Sequence, residues 1–156
     1  MRPAAAHYRL GRVVLTALIL SFPASVSPPL AGQSDPLSKT KRIASTQHEM
    51  VMLLIKKKDF DQAAKEACKI FDMNWPDGQE QLLLKELLFL SEQFCNNGQA
   101  SISLHLIDKN AKCFRQTASR IKILQEKGFL YKSLKQYDKA LEYFNKAREL
   151  EKDSKD

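Results

Sequence analysis

Two short segments, KDFDQA (residues 58–63) and KQYDKA (residues 135–140), share one pattern, and this pattern constrains the fold more than any other feature. Each segment follows an apolar run, contains a polar corner and reaches an alanine one turn into a second run. NNGQA (residues 96–100) occupies the corresponding place between them. A small residue there lets two antiparallel helices approach closely. The pattern predicts a helix–turn–helix unit that occurs three times and stacks on its neighbours.

The apolar residues between these corners recur every three or four positions, as in helices with one buried face. We place Ala100 in register with Ala63 and Ala140, which gives repeat spacings of 37 and 40 residues. Ten side chains are predicted to pack the repeats together: Ala63, Ala67, Ala100, Leu104, Gly128, Tyr131, Tyr137, Ala140, Phe144 and Ala147.

Polar residues predict where the helices begin and end. Asp59 with Gln62, and Asp77 with Glu80, have the spacing of a capping box at a helix start. Gly98 tolerates positive φ and therefore predicts the corner inside the second unit.

The third unit resembles a tetratricopeptide repeat (TPR). The family's alternation of small and aromatic residues is matched by Gly128, Tyr131, Tyr137, Ala140, Phe144 and Ala147. The unit departs from the family at Leu124, Lys127 and Lys152, where Trp, Leu and Pro are usual. The resemblance implies an all-α fold, a short right-handed TPR-like α-solenoid. Its three repeats would span roughly residues 43–77, 78–116 and 117–153.

In the family that the third unit resembles, the first helix of each pair lines a concave groove. The groove positions carried over to this chain are His48, Met52, Ile55, Lys85, Phe89, Lys122, Gln125, Phe129 and Lys132. This mixture of apolar and lysine side chains predicts a protein or peptide partner that carries apolar and acidic residues. Alternatively, the apolar members pack against the segment before residue 43 or against a neighbouring helix.

A carboxylate clamp, as in the chaperone-tail-binding members of the family, is not expected. The corresponding positions are His48, Met52, Glu86, Lys122 and Glu126. Of these only Lys122 suits a terminal carboxylate, and the two glutamates would repel it.

Residues 1–32 differ in composition from the rest of the chain. Three arginines are followed by an apolar run over residues 13–22 and then by a stretch rich in Pro, Ser and Ala. This order is typical of a signal peptide, and a run of about ten residues is too short for a membrane-spanning helix. We predict cleavage after Gly32, a flexible leader over residues 33–42 and a repeat domain over residues 43–156. An uncleaved N-terminal membrane anchor is the alternative.

The charge distribution argues against a nucleic-acid partner. The formal net charge is +7, and residues 1–32 carry three arginines and no acid, so the chain from Gln33 onward carries +4. Lysine and glutamate alternate along that part of the chain instead of forming a basic stripe.

No constellation in the sequence suits catalysis or cofactor binding. Cys68, Cys95 and Cys113 lack the close spacing of a metal or redox motif, and each falls on or beside an apolar stripe. The three histidines are far apart in sequence, and no glycine-rich phosphate loop is present. We expect neither an enzyme nor a cofactor or metal.

Two classes of function remain. The first is an exported interaction module or scaffold, periplasmic or secreted; the second is a cytosolic secretion-type chaperone with three repeats. A membrane-anchored assembly factor is a further alternative.

The sequence predicts an exposed apolar patch near the C-terminus, formed by Leu134, Leu141, Tyr143 and Leu150. Such a patch would suit a homodimer through the C-terminal helix pair or the binding of a partner.

Overall fold

The computed structural model describes residues 35–154, which form six α-helices. The helices are α1 (Pro36–Lys56), α2 (Phe60–Phe71), α3 (Glu80–Asn96), α4 (Ala100–Asn110), α5 (Thr117–Ser133) and α6 (Tyr137–Asp153), with a 3-10 turn at Ala111–Cys113. No strand occurs between residues 35 and 154. The closest packing is within the pairs α1–α2, α3–α4 and α5–α6, and successive pairs also touch. The predicted all-α solenoid of three helix pairs is confirmed.

The first helix begins earlier than predicted. Residues 36–42, which we assigned to a flexible leader, are the first turns of α1. The side chain of Asp35 accepts a hydrogen bond from the Leu37 N–H at 3.3 Å, and Pro36 stands in the first turn, where an N–H is not needed. The predicted signal peptide lies outside the described residues. From residue 35 to residue 154, no helix combines the length and the apolar character that a bilayer span requires.

One type of turn closes all three helix pairs. Lys58, Gly98 and Lys135 follow their helices at the same position and have φ values of 63°, 76° and 60°. In each turn the next backbone N–H bonds to the carbonyl five residues earlier, as in a Schellman helix end. These bonds are Asp59 to Leu54 at 3.0 Å, Gln99 to Phe94 at 2.9 Å and Gln136 to Tyr131 at 2.9 Å. The shared geometry gives the three pairs a common register.

This register corrects the alignment of the middle unit. Counted from the turn residue, Ser103 and not Ala100 is equivalent to Ala63 and Ala140. The turn-to-turn spacings are 40 and then 37 residues, the reverse of the predicted order. Ser103 is fully buried, and its hydroxyl donates to the carbonyl of Ser91 on α3 at 2.8 Å. A serine can replace alanine at this helix contact because it is small and its buried hydroxyl has a hydrogen-bond acceptor.

The two predicted helix starts have different outcomes. Asp59 caps α2, since its carboxylate accepts from the Gln62 N–H at 3.3 Å. Asp77 does not cap α3, which begins at Glu80. The Glu80 carboxylate instead accepts from the Gln116 N–H at 2.9 Å, immediately before α5. Glu80 therefore joins the second unit to the third.

Most of the predicted packing residues lie inside the structure. The buried ones are Ala63, Ala67, Ala100, Gly128, Ala140 and Ala147, and the half-buried ones are Leu104, Tyr131 and Phe144. Tyr137 is 60% exposed, so its assignment to repeat packing was wrong. Within residues 35–154 no helix covers its side of α6. Large core residues of α3, α4 and α5 that we did not single out include Leu87, Leu90, Phe94, Leu106 and Leu130.

Gly128 is the point of closest approach in the third pair. A Cβ atom built on Gly128 would lie 2.6 Å from Cε1 and 2.8 Å from Cδ1 and Cζ of Phe144. These distances are far below van der Waals contact, so the ring of Phe144 occupies the space that any other residue would need. The glycine of α5 and the phenylalanine of α6 are complementary in shape.

Replacing Gly128 with alanine should destabilise the protein by about 1–3 kcal/mol, because the new methyl group overpacks against the Phe144 ring. In a Phe144→Val background the ring is absent. Gly128→Ala should then be neutral, or stabilising by up to about 1 kcal/mol through its better helix propensity. Urea unfolding of the four proteins measures this coupling. An equal cost in both backgrounds would show that the ring contact is not the source.

A buried carboxylate joins the first two helices. Glu66 of α2 is 5% exposed. It accepts hydrogen bonds from Gln47 Nε2 of α1 at 2.6 Å, from Gln62 Nε2 at 2.8 Å and from Lys69 Nζ at 2.8 Å. The bonds from Lys69 and Gln47 lower the pKa of Glu66 below its ordinary value of 4.5 and outweigh the opposing effect of burial. The ionised form of this side chain is therefore part of the fold.

The lowered pKa of Glu66 predicts acid sensitivity. Its ionised carboxylate stabilises the fold above the unfolded-state pKa, and this contribution is lost as the pH falls through the lower folded-state pKa. We expect Glu66→Gln to flatten the decline of the urea midpoint between about pH 5 and pH 3. Glu49→Gln, at an exposed position of α1, is the control and should keep the wild-type decline. Superimposable pH profiles for wild type and Glu66→Gln would contradict the assignment.

Candidate functional site

The first helices of the three pairs, α1, α3 and α5, are joined by polar side chains. His48 Nδ1 of α1 lies 2.7 Å from Glu86 Oε1 of α3. Farther along the array, the Ser91 hydroxyl of α3 donates to Glu126 Oε1 of α5 at 2.7 Å. We call the surface formed by α1, α3 and α5 the groove.

The structure places the predicted groove residues in three environments. The exposed residues are Lys85, Phe89, Lys122, Gln125, Phe129 and Lys132, and the half-buried ones are His48 and Met52. Ile55 is only 5% exposed and belongs to the core, so it is not available to a partner. Its apolar side chain, near the end of α1, turns inward, whereas Lys132 at the equivalent position of α5 extends into solvent.

Two exposed phenylalanines dominate the apolar part of the groove. Phe89 of α3 is 37% exposed, and its ring centroid lies 5.2 Å from that of His48. Phe129 of α5 is 55% exposed and meets the ring of Phe144 edge-on at 5.1 Å. Both rings are supported by a neighbouring ring on one side and remain open on the other, which suits an apolar contact with a partner.

A depression of about 380 Å³ lies between the two phenylalanines. Leu88 and Leu130 contribute apolar wall, and Glu92 and Glu126 contribute carboxylates. The turn register makes Leu88, not Phe89, the equivalent of His48 and Gln125. Leu88 is absent from the predicted groove residues because aligning the middle unit on Ala100 shifts its register by three residues.

A second depression, of about 450 Å³, lies between α1 and α3. It is lined by Lys41, Ala44, Ser45, His48, Ile70, Trp75, Leu82, Leu83 and Glu86. Trp75 is fixed there because its Nε1 donates to the Ile70 carbonyl at 2.7 Å. Trp75 belongs to the segment NWPDG (residues 74–78), which follows α2.

The exposed charges of the groove are mainly basic, and Glu92 is an exposed carboxylate among them. Lys85, Lys122 and Lys132 are exposed, whereas Glu86 and Glu126 are each held by a donor of the groove itself, His48 and Ser91. A ligand therefore meets lysine heads around the phenylalanines, with two of the nearby carboxylates already engaged.

The thiols do not form a reactive group within the described residues. Cys68 is buried, and Cys95 and Cys113 are half-buried; all three are free. Burial raises the pKa of the Cys113 thiol, which favours its protonated form. Between residues 35 and 154 no group of three or more His, Cys, Asp or Glu residues is placed to hold a metal ion.

Comparison with known proteins bears on the third pair. Residues 121–154, which span most of α5 and all of α6, match the family model of the tetratricopeptide repeat. Neither the curated proteins nor the solved structures contain a significant match to this chain.

The match covers the region in which Gly128, Ala140 and Phe144 form the helix crossing. Repeats of this family act as protein–protein interaction modules, and the stacked helix pairs agree with that architecture. Residues 121–154 are therefore similar in sequence to a tetratricopeptide repeat, and the described residues form a short TPR-like α-solenoid.

Proposed function

We propose that the protein is an exported interaction module or scaffold that binds a segment of a partner protein in the groove. The observation that carries this proposal is the pairing of Phe89 and Phe129, exposed on adjacent helices, with exposed Lys85, Lys122 and Lys132. Exposed aromatic side chains are typical binding anchors, and charged side chains beside them select a partner of complementary charge.

The groove favours a partner segment that alternates apolar and acidic side chains. The depression of about 380 Å³ can take one bulky apolar side chain between Phe89 and Phe129. Acidic residues of that segment would meet Lys85 and Lys122, which occupy equivalent positions one to two turns before Phe89 and Phe129 on α3 and α5. Such a segment can be extended or helical.

Export is proposed from the sequence of residues 1–32, with its basic start and its apolar run of about ten residues. A cytosolic secretion-type chaperone would keep that segment in a soluble protein. A membrane-anchored assembly factor would keep it in the bilayer. The three alternatives therefore differ in the mature N-terminus and in the fraction that contains it.

Binding in the groove can be tested with peptides selected from a displayed random library. We expect the selected peptides to combine apolar and acidic residues. Lys122→Glu reverses a groove charge and Phe129→Ser removes an anchor, so each should weaken binding by about tenfold or more in fluorescence anisotropy.

Lys65→Glu makes the same charge reversal on the exposed side of α2, away from the groove, and serves as the matched control. It should leave the affinity within about twofold of wild type, as expected for a charge remote from the site. If Lys122→Glu and Phe129→Ser bind the selected peptides as tightly as Lys65→Glu does, the groove is not the binding site.

Export predicts a mature chain that begins at Gln33. Intact-mass measurement and N-terminal sequencing of the protein from its source should give this start in the periplasmic or secreted fraction. A soluble cytosolic protein that begins at Met1 would support the chaperone alternative. Retention of residues 1–32 in the membrane fraction would support the anchored one.

A further inference from the structure

The α1 end of the described array exposes apolar side chains at positions that are covered inside the array. Met50 and Leu53 are 45% and 61% exposed. In the turn register, Met50 is equivalent to Leu90, which is 0% exposed, and Leu53 is equivalent to Leu130, which is 2% exposed. Ile43, 49% exposed, corresponds to the buried Leu83. Along α1 these three residues are seven and three positions apart and form one stripe.

The α6 end shows the same contrast. Tyr137 and Leu141 are 60% and 62% exposed. The equivalent of Tyr137 in α4 is Ala100, 4% exposed, and the equivalent of Leu141 is Leu104, which packs partly against the core. Inside the array these positions of α4 lie under the next unit, because α4 packs on α5. On α6 the corresponding face has no neighbour within residues 35–154.

The two exposed faces are complementary in kind. Ile43 and Met50 of α1 correspond to the buried Leu83 and Leu90 of α3, a helix that packs on α2, although their α5 equivalents are Arg120 and Lys127. The face of α6 has the character of the α4 face that packs on α5. We propose that the α6 end of one copy binds the α1 end of a second copy, so that the interface between units continues from one molecule to the next.

Charge supports this pairing of unlike ends. Helix α1 carries four basic residues and one acidic residue, a net charge of +3. Helix α6 carries five acidic and four basic residues, a net charge of −1. Two α1 ends would repel each other, whereas an α1 end and an α6 end attract.

This interface is heterologous, since the two surfaces are different patches of the same chain. Such contacts produce open chains of molecules or closed rings. The homodimer through the C-terminal helix pair, which the sequence suggested, would instead bury two α6 faces against each other. The proposal does not depend on the groove, which lies on α1, α3 and α5 and remains available to a partner.

Sedimentation velocity of the full chain and of two variants tests the proposal. Leu53→Glu disables the α1 face and Leu141→Glu disables the α6 face, and both side chains are more than half exposed, so the core is kept. Wild type should associate with rising concentration. Each variant alone should associate at least about tenfold more weakly than wild type. An equimolar mixture of the two should form a 1:1 dimer that grows no further, because each variant supplies the face that the other lacks.

Lys65→Glu, on the exposed side of α2, controls for added negative charge and should associate as wild type does. Circular dichroism of both variants should show the wild-type helix content and melting profile. A variant that fails this check is replaced by Leu53→Ser or Leu141→Ser, and the mixing experiment is repeated.

Three results would overturn the proposal. Wild type could stay monomeric at the highest soluble concentration, as expected if residues 1–34 or another partner cover α1. Leu53→Glu could associate normally while Leu141→Glu does not, which is the behaviour of a dimer through two α6 faces. Finally, the mixture of the two variants could remain monomeric although wild type associates.

Discussion

The close crossing of the two helices in each pair is the interaction on which the rest of this structure depends. It is achieved with different residues in each unit. In the third pair Gly128 admits the ring of Phe144, and in the second the Ser103 hydroxyl lies 2.8 Å from the Ser91 carbonyl. The common requirement is a small side chain where the helices touch, because only then can the larger residues beside it interdigitate. The distance between the two helices of a pair, and therefore the surface that the pair offers to its neighbours, follows from that contact.

The architecture could be predicted because it is encoded twice, in the helical period of apolar residues and in the turns. The middle unit shows the limit of such patterns. Ala100 looked like the small residue of the crossing because it is an alanine after a glycine turn, yet Ser103 holds that position. A serine with its hydroxyl bonded is indistinguishable in sequence from a serine on the surface. Glu66 is a similar case, since its burial depends on donors from two helices that meet only in the folded chain.

The candidate site was predictable to the extent that the register was. In the third unit, where the motif is clear, Lys122 and Phe129 lie on the exposed surface of α5. In the second unit the shifted register selected Phe89 but omitted Leu88. The prediction for Ile55 was wrong for a different reason. The repeat pattern fixes the position of its Cα atom, but burying an isoleucine side chain in the adjacent core is favourable, and Ile55 is only 5% exposed. The depression beside Trp75 arises from the loop between α2 and α3, for which the repeat pattern has no counterpart.

In the third unit one side chain serves both the packing of the helices and the proposed binding surface. The ring of Phe144 fills the space above Gly128 and also meets Phe129 edge-on at 5.1 Å. The helix crossing therefore supports the groove directly, whereas the exposed lysines beside it can vary without disturbing the core. The same logic applies to the ends of the array. A unit that buries its faces only against neighbours leaves one face uncovered at each end, however many units are stacked. The apolar faces that let units stack in a solenoid are therefore exposed at its two ends, where they favour association unless polar residues or a partner cover them.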